Sequence, residues 1–137
     1  MYTDFSSLPD SLEAEELENY FREFLKVYSD KPKNLAALKE LYELAYRQWD
    51  TYENLSPEIE KPLEEYVMAA INFKSYDVTD VIISIVENLT MKNVFEFIIN
   101  SKSEVTVPSI RGLIEDAEEE YAETIHNPYG DMDDDWL

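Results

Sequence analysis

Apolar residues recur at the spacing of an α-helix along almost the whole chain, and this periodicity constrains the fold more than any other feature. The 137 residues include only two glycines, Gly112 and Gly130. A β-sandwich or a barrel needs many tight turns and usually places more glycine in them. The connections between the periodic segments are short, which favours antiparallel neighbours. We therefore predict an all-α fold of about six antiparallel helices.

Two helices are predicted in the first third of the chain. The first follows Asp10-x-x-Glu13, a capping-box pattern, and its apolar positions are Leu17, Tyr20, Phe21, Phe24, Leu25 and Tyr28. The second runs from about Leu35 to Tyr52, with an apolar stripe at Leu38, Leu41, Tyr42, Ala45, Trp49 and Tyr52.

The third predicted helix contains two prolines, one that favours a helix start and one that disfavours a helix interior. Ser56 is the predicted N-cap and Pro57 the first helical residue, a position where proline is favoured. Pro62 lies too deep for a regular helix that starts at Ser56, because proline in a helix interior removes a hydrogen bond. We therefore predict a short turn and a fresh start near Lys61.

The second half of the chain predicts three further helices. Asp77 is the predicted cap of the fourth, which runs from Val78 to about Asn88 and is apolar on most sides, although its β-branched residues also suit a strand. Thr90 is the predicted cap of the fifth, with core residues Val94, Phe95, Phe97, Ile98 and Ile99. The sixth begins near 106–108 and ends at 126–130.

The segment Pro108–Ile114 resembles the second helix of a HEAT-type repeat. The chain shows no clear repeat at 34 to 47 residues, the usual period of helical solenoids. A compact bundle and a short HEAT-like stack of helical hairpins therefore both remain open. We predict one helical domain at 1–130 and an acidic C-terminal tail at 131–137.

Negative charge dominates the chain and is concentrated near its C-terminal end. The protein has 31 acidic and 11 basic residues, a formal net charge of -20. The segment 115–135 contains no Lys or Arg. On a helix Glu115, Glu119 and Glu123 share one face, and like charges at this spacing destabilise the helix. A face kept for solubility normally mixes both signs, so we predict a surface for a cationic partner, comprising Glu115, Asp116, Glu119, Glu120, Glu123, Asp131, Asp133, Asp134, Asp135 and Trp136.

The sequence offers no catalytic set, and we predict no catalytic residue, metal site or cofactor. There is no cysteine, and the single histidine, His126, is placed at a helix end, where a surface or capping role is expected. Asp131–Asp135 resembles the start of a calcium loop but lacks the glycine and the final glutamate of one. Fifteen acidic and three basic residues follow Tyr76, which makes nucleic acid an unsuitable ligand. No secretory signal or membrane span is apparent, so we expect a cytoplasmic protein.

In size, charge and tail the chain resembles the small acidic immunity proteins of bacterial toxin–immunity systems, such as contact-dependent inhibition and other polymorphic toxins. This resemblance implies a cytoplasmic inhibitor that binds and neutralises a cognate basic toxin domain, often a nuclease. One alternative is a nucleic-acid mimic that inhibits a DNA-binding enzyme, although residues 31–76, with six basic and eight acidic side chains, are nearly neutral. Another is a helical scaffold or adaptor that binds a peptide.

Overall fold

The computed structural model describes residues 5–9, 12–51 and 53–126, except for the side chains of Ser6 and of residues 120–126. Within these ranges the chain is all-α, as predicted. Six α-helices are joined by short connections, and short 3-10 helices lie at Phe5–Ser7 and Lys102–Glu104. The α-helices are α1 (Ala14–Tyr28), α2 (Leu35–Trp49), α3 (Pro57–Ala70), α4 (Tyr76–Leu89), α5 (Lys92–Asn100) and α6 (Pro108–His126).

The helices pack in two layers. α3 lies between α1 and α5 in one layer, and α4 lies between α2 and α6 in the other. The consecutive pairs α1–α2, α4–α5 and α5–α6 join the layers, and the largest interface is that between α2 and α4. Contact between helices that are one or two apart along the chain is the arrangement of stacked helical hairpins. In this order α6 lies at one end of its layer.

One apolar core runs between the two layers. Leu17, Phe21 and Phe24 of α1 are fully buried, and the predicted stripes of the other helices supply most of the remaining core. In α4 the buried residues are Thr79, Ile82, Ile83, Ile85, Val86 and Leu89. A helix buried on several sides gains enough from packing to outweigh the β propensity of its branched residues. The helical prediction for this segment is therefore confirmed.

The predicted break at Pro62 is wrong, because α3 is one continuous helix with Pro62 inside it. Proline there removes the bond that would join its nitrogen to the carbonyl of Glu58. The side chain of Glu58 is 71 % exposed, so this carbonyl lies on the solvent side of the helix. Ile59 and Leu63, on either side of Pro62, are buried in the core and hold the helix together.

Two predicted caps are also wrong. The N-cap of α4 is Ser75, whose hydroxyl accepts a hydrogen bond from the backbone nitrogen of Val78 at 3.3 Å, so Asp77 lies inside the first turn. Thr90 does not cap α5 with its side chain; it ends α4 in the left-handed conformation, with φ of 52°. Met91, which is fully buried, precedes α5. At the start of α4 both Ser75 and Asp77 are of a type that suits an N-cap, whereas at the start of α5 the apolar Met91 holds the N-cap position.

Three further expectations differ from the structure or fall outside it. Phe97, predicted as core, is 42 % exposed. α2 ends at Trp49, three residues before the predicted end at Tyr52, and Tyr52 itself lies outside the described residues. Asp10 of the predicted capping box also lies outside them, and α1 begins at Ala14 without a side-chain cap.

Tyr66 of α3 is buried, and its hydroxyl has no hydrogen-bond partner among the described residues. Burial, with a smaller contribution from Tyr28, raises its pKa from 10.0 to about 12. An unsatisfied buried hydroxyl costs about 1–3 kcal/mol. We therefore expect Tyr66→Phe to raise the free energy of unfolding by about 1 kcal/mol at neutral pH, as measured by urea unfolding.

The same substitution has a defined pH dependence. Because the pKa of Tyr66 is raised in the folded protein, the contribution of its protonated hydroxyl to stability is fully present below pH 10.0 and is lost as the pH rises to about 12. Phenylalanine has no proton to lose, so the advantage of Tyr66→Phe should widen above pH 10.0. A difference in unfolding free energy between Tyr66→Phe and the wild type that becomes smaller at alkaline pH would contradict the raised pKa of Tyr66.

Candidate acidic interaction surface

The inner face of α6 fixes the direction of its acidic residues. Ile110, Ile114 and Ala117 are buried against α4 and α5. Successive residues of a helix are rotated by about 100°, so Glu115 and Glu119 lie on the side opposite this apolar stripe. Both are exposed, as is Asp116. The predicted sharing of one outer face is therefore present in the structure for Glu115 and Glu119, and Asp116 is exposed beside them. We call these three carboxylates the α6 acidic strip.

The α6 acidic strip is uncompensated within the described part of the chain. None of its three carboxylates accepts a side-chain hydrogen bond or forms an ion pair there. The neighbouring Glu118 differs, because its carboxylate lies 2.8 Å from the ammonium group of Lys102. The hydrogen bond to Glu118 is the main reason that the pKa of Lys102 is raised, and the charge of Glu115 contributes to it.

Lys102 is the part of this surface that the sequence did not reveal. It lies 16 residues before Glu118, in the short 3-10 helix that packs against α5 and α6. The absence of Lys and Arg from 115–135 therefore does not make the whole surface anionic. Lys102 neutralises the charge of Glu118 at the edge of this surface, and the remaining negative charge lies on Glu115, Asp116 and Glu119.

The remaining residues of the predicted surface lie partly or wholly outside the described residues. Glu120 and Glu123 belong to α6, which extends to His126, but the structure describes only their helical backbone. The side chain of His126 is likewise not described. The predicted tail residues Asp131, Asp133, Asp134, Asp135 and Trp136 lie outside the described residues, as does the predicted boundary between domain and tail.

A cleft of about 550 Å³ lies between α2 and α4. Glu43, Asp77 and Asp80 supply carboxylates to its walls, and Lys39 supplies one ammonium group. Ser84 is the only hydroxyl of an aliphatic side chain in the lining, and no histidine lies there to activate it.

Two further observations bear on the type of site. Within the described ranges, His, Cys, Asp and Glu side chains do not gather in groups of three that could hold a metal ion. None of the helices described has the combination of length and hydropathy needed to cross a membrane.

Comparison of the chain with protein-family models, with curated proteins and with solved structures gives no match.

Proposed function

We propose that this protein is an immunity protein that binds and neutralises a basic toxin domain, a nuclease in the simplest case. The observation that carries the proposal is the α6 acidic strip, which is exposed and uncompensated at the end of a helix layer in a protein of net charge -20. Repulsion between carboxylates on one face of a helix lowers the stability of that helix. A cationic partner removes that cost on binding.

The mode of inhibition follows from the chemistry of the partner. A nuclease holds the phosphates of its substrate in a basic groove. The carboxylates of the α6 acidic strip would contact the Lys and Arg residues of that groove and exclude the substrate. Opposite charge would also steer the encounter, so the association rate should be high at low salt and fall as the ionic strength rises.

The distribution of charge favours a local contact over nucleic-acid mimicry. A mimic needs carboxylates at phosphate-like spacing over an extended surface. Here α2 carries two acidic and two basic residues, whereas α6 carries six acidic residues and one arginine. The negative field is therefore concentrated on one terminal helix.

The α6 acidic strip is tested together with Glu123, which lies four residues beyond Glu119 in the sequence. The variant combines Glu115→Gln, Glu119→Gln and Glu123→Gln. Glutamine keeps the side-chain length and the helix propensity of glutamate. We expect affinity for the toxin domain encoded by the adjoining gene to fall at least about tenfold at low salt, while stability holds or rises. Affinity and association rate would be measured at about 0.05 M and about 0.5 M salt, alongside protection of cells that express the toxin.

A matched control removes the same number of charges elsewhere. Asp30→Asn, Asp50→Asn and Glu53→Gln change exposed residues in the connections after α1 and α2. This variant should keep affinity within about threefold. Equal losses in the two variants would show that only net charge matters. Failure of the wild-type chain to bind the toxin or to protect the cells would overturn the proposed function.

A further inference from the structure

A groove of about 550 Å³ lies between α3 and α5, in the layer that does not contain α6. Its walls include Lys61, Glu64, Glu65 and Met68 from α3, with Asn93 and Val94 from α5. We call this the α3/α5 groove. It is separate from the α6 acidic strip, so what it binds does not depend on the function proposed for that strip.

The α3/α5 groove exposes apolar side chains that the core does not use. Met68 is 38 % exposed. Phe97, which is 42 % exposed, lies one helical turn beyond Asn93 and stacks on Phe73, with ring centroids 6.5 Å apart. These are two of the three large apolar residues that are exposed in the described part of the chain. Phe97 is not itself a lining residue, but residues four apart share a helix face, so Phe97 extends the α5 wall of the groove past Asn93. Exposed apolar side chains of this kind mark interaction surfaces.

Carboxylates form the other end of the groove. Glu64 and Glu65 line it, and Glu60 lies one turn before Glu64 on the same helix. Burial raises the pKa of both Glu60 and Glu64, and the charge of Glu64 raises the pKa of Glu60 further. Lys61 is the one cation among the lining residues, so the two carboxylates Glu64 and Glu65 leave this end with an excess of negative charge. This end of the groove is complementary to Lys or Arg.

We propose that the α3/α5 groove docks a basic amphipathic helix of a partner protein. The apolar face of that helix packs on Met68 and Phe97, and Lys or Arg at one end pairs with Glu64 and Glu65. An amphipathic helix can lay its apolar face into a groove between two helices, whereas a peptide that binds as an added β-strand needs a sheet edge. The described residues offer only helical elements.

The test uses a synthetic helix of about 18 residues, long enough to fold in isolation, with Leu on one face and Lys on the other. Met68→Gln with Phe97→Gln removes apolar surface, leaves the charge unchanged and alters only exposed positions. We expect the affinity of the full-length protein for this peptide to fall at least about tenfold. Titration calorimetry gives the affinity, and circular dichroism with thermal unfolding checks that the fold is retained.

Two controls separate groove binding from general attraction to an acidic protein. Asp30→Asn with Asp50→Asn and Glu53→Gln removes three charges outside both the groove and the α6 acidic strip and should change the affinity by no more than about threefold. A peptide of the same composition in scrambled order should bind at least about tenfold more weakly, because its apolar face is lost.

Three results would overturn the proposal. The first is an unchanged affinity in Met68→Gln with Phe97→Gln. The second is an equal loss in the variant Asp30→Asn, Asp50→Asn and Glu53→Gln, which would mean that binding of the peptide follows net charge. The third is a concentration-dependent dimer of the wild type that disappears in Met68→Gln with Phe97→Gln, which would make a second copy of the chain the occupant. None of these outcomes bears on inhibition through the α6 acidic strip.

Discussion

Arg47→Met is expected to lower the free energy of unfolding by about 3 kcal/mol and the melting temperature by about 10 °C. Arg47 is 1 % exposed. Its guanidinium group donates to the carbonyl of Pro9 at 2.7 Å and to that of Leu8 at 2.7 Å. It also pairs with the carboxylate of Glu43 at 3.1 Å and lies over the ring of Tyr46. Methionine fills similar space but leaves both carbonyls without a donor.

The position of these bonds predicts which part of the molecule loosens. Arg47 holds the segment Phe5–Pro9 against α2, where Phe5 is fully buried and its backbone nitrogen donates to Glu40 at 2.8 Å. In Arg47→Met we expect hydrogen exchange to accelerate first in this segment and only later in α4. Thermal unfolding and exchange measured by mass spectrometry test the two statements separately.

Glu43→Gln is the matched control for the charge of this cluster. The carboxylate of Glu43 is 27 % exposed, and its loss leaves the bonds from Arg47 to Leu8 and Pro9 in place. Glutamine can still accept a hydrogen bond from the buried guanidinium group, and water reaches the partly exposed position of the carboxylate, so we expect Glu43→Gln to cost about 1–2 kcal/mol, less than Arg47→Met. If Glu43→Gln destabilised the protein as much as Arg47→Met, the ion pair rather than the carbonyl bonds would hold the segment. A melting temperature for Arg47→Met within about 2 °C of the wild type would contradict both accounts.

The end position of α6 gives the α6 acidic strip two physical roles that need to be separated. A terminal helix of a stack covers the core on one side only, so its other side must be polar. Glu115 and Glu119 satisfy that requirement, but so would a mixture of Lys and Glu, which would also avoid repulsion along the helix. The excess of one sign is therefore what the proposed toxin partner explains and what a simple cap does not.

Much of the fold could be predicted from the sequence because it is encoded locally. The stripe of Leu17, Phe21 and Phe24 defines α1, and Pro57 marks the start of α3. The layer order could not be predicted in this way. The largest interface joins α2 to α4, which are separated by the whole of α3. Nothing in the local pattern of either helix specifies that pairing.

The candidate surfaces show the same division. The helical spacing of Glu115 and Glu119 was enough to predict a shared outer face. The pairing of Lys102 with Glu118 joins two elements and could not be predicted from spacing within α6. Phe97 illustrates the opposite error. Its position among Val94, Phe95 and Ile98 indicated the core, but α5 is apolar on more sides than its neighbours cover. Phe97 lies on the same face of α5 as Asn93 and extends the wall of the α3/α5 groove past that residue.

Pro62→Ala is expected to raise the free energy of unfolding by about 2 kcal/mol. Proline inside a helix costs about 3 kcal/mol relative to alanine, and its restriction of the unfolded chain returns up to about 1 kcal/mol. Alanine restores a nitrogen that can donate to the carbonyl of Glu58 and removes the clash of the proline ring with it. The gain should be visible as a melting temperature higher by about 7 °C.

Pro57→Ala is the matched control, because Pro57 is the first residue of the same helix. Its missing N–H would have no partner within the helix, and its fixed φ suits the position. We therefore expect Pro57→Ala to leave stability unchanged or to lower it by up to about 1 kcal/mol. Opposite signs for the two substitutions would show that α3 folds as one helix despite Pro62, held by the burial of Ile59 and Leu63. An unchanged or lower stability of Pro62→Ala would instead mean that the helix accommodates the ring without strain, and the energetic account of α3 would fail.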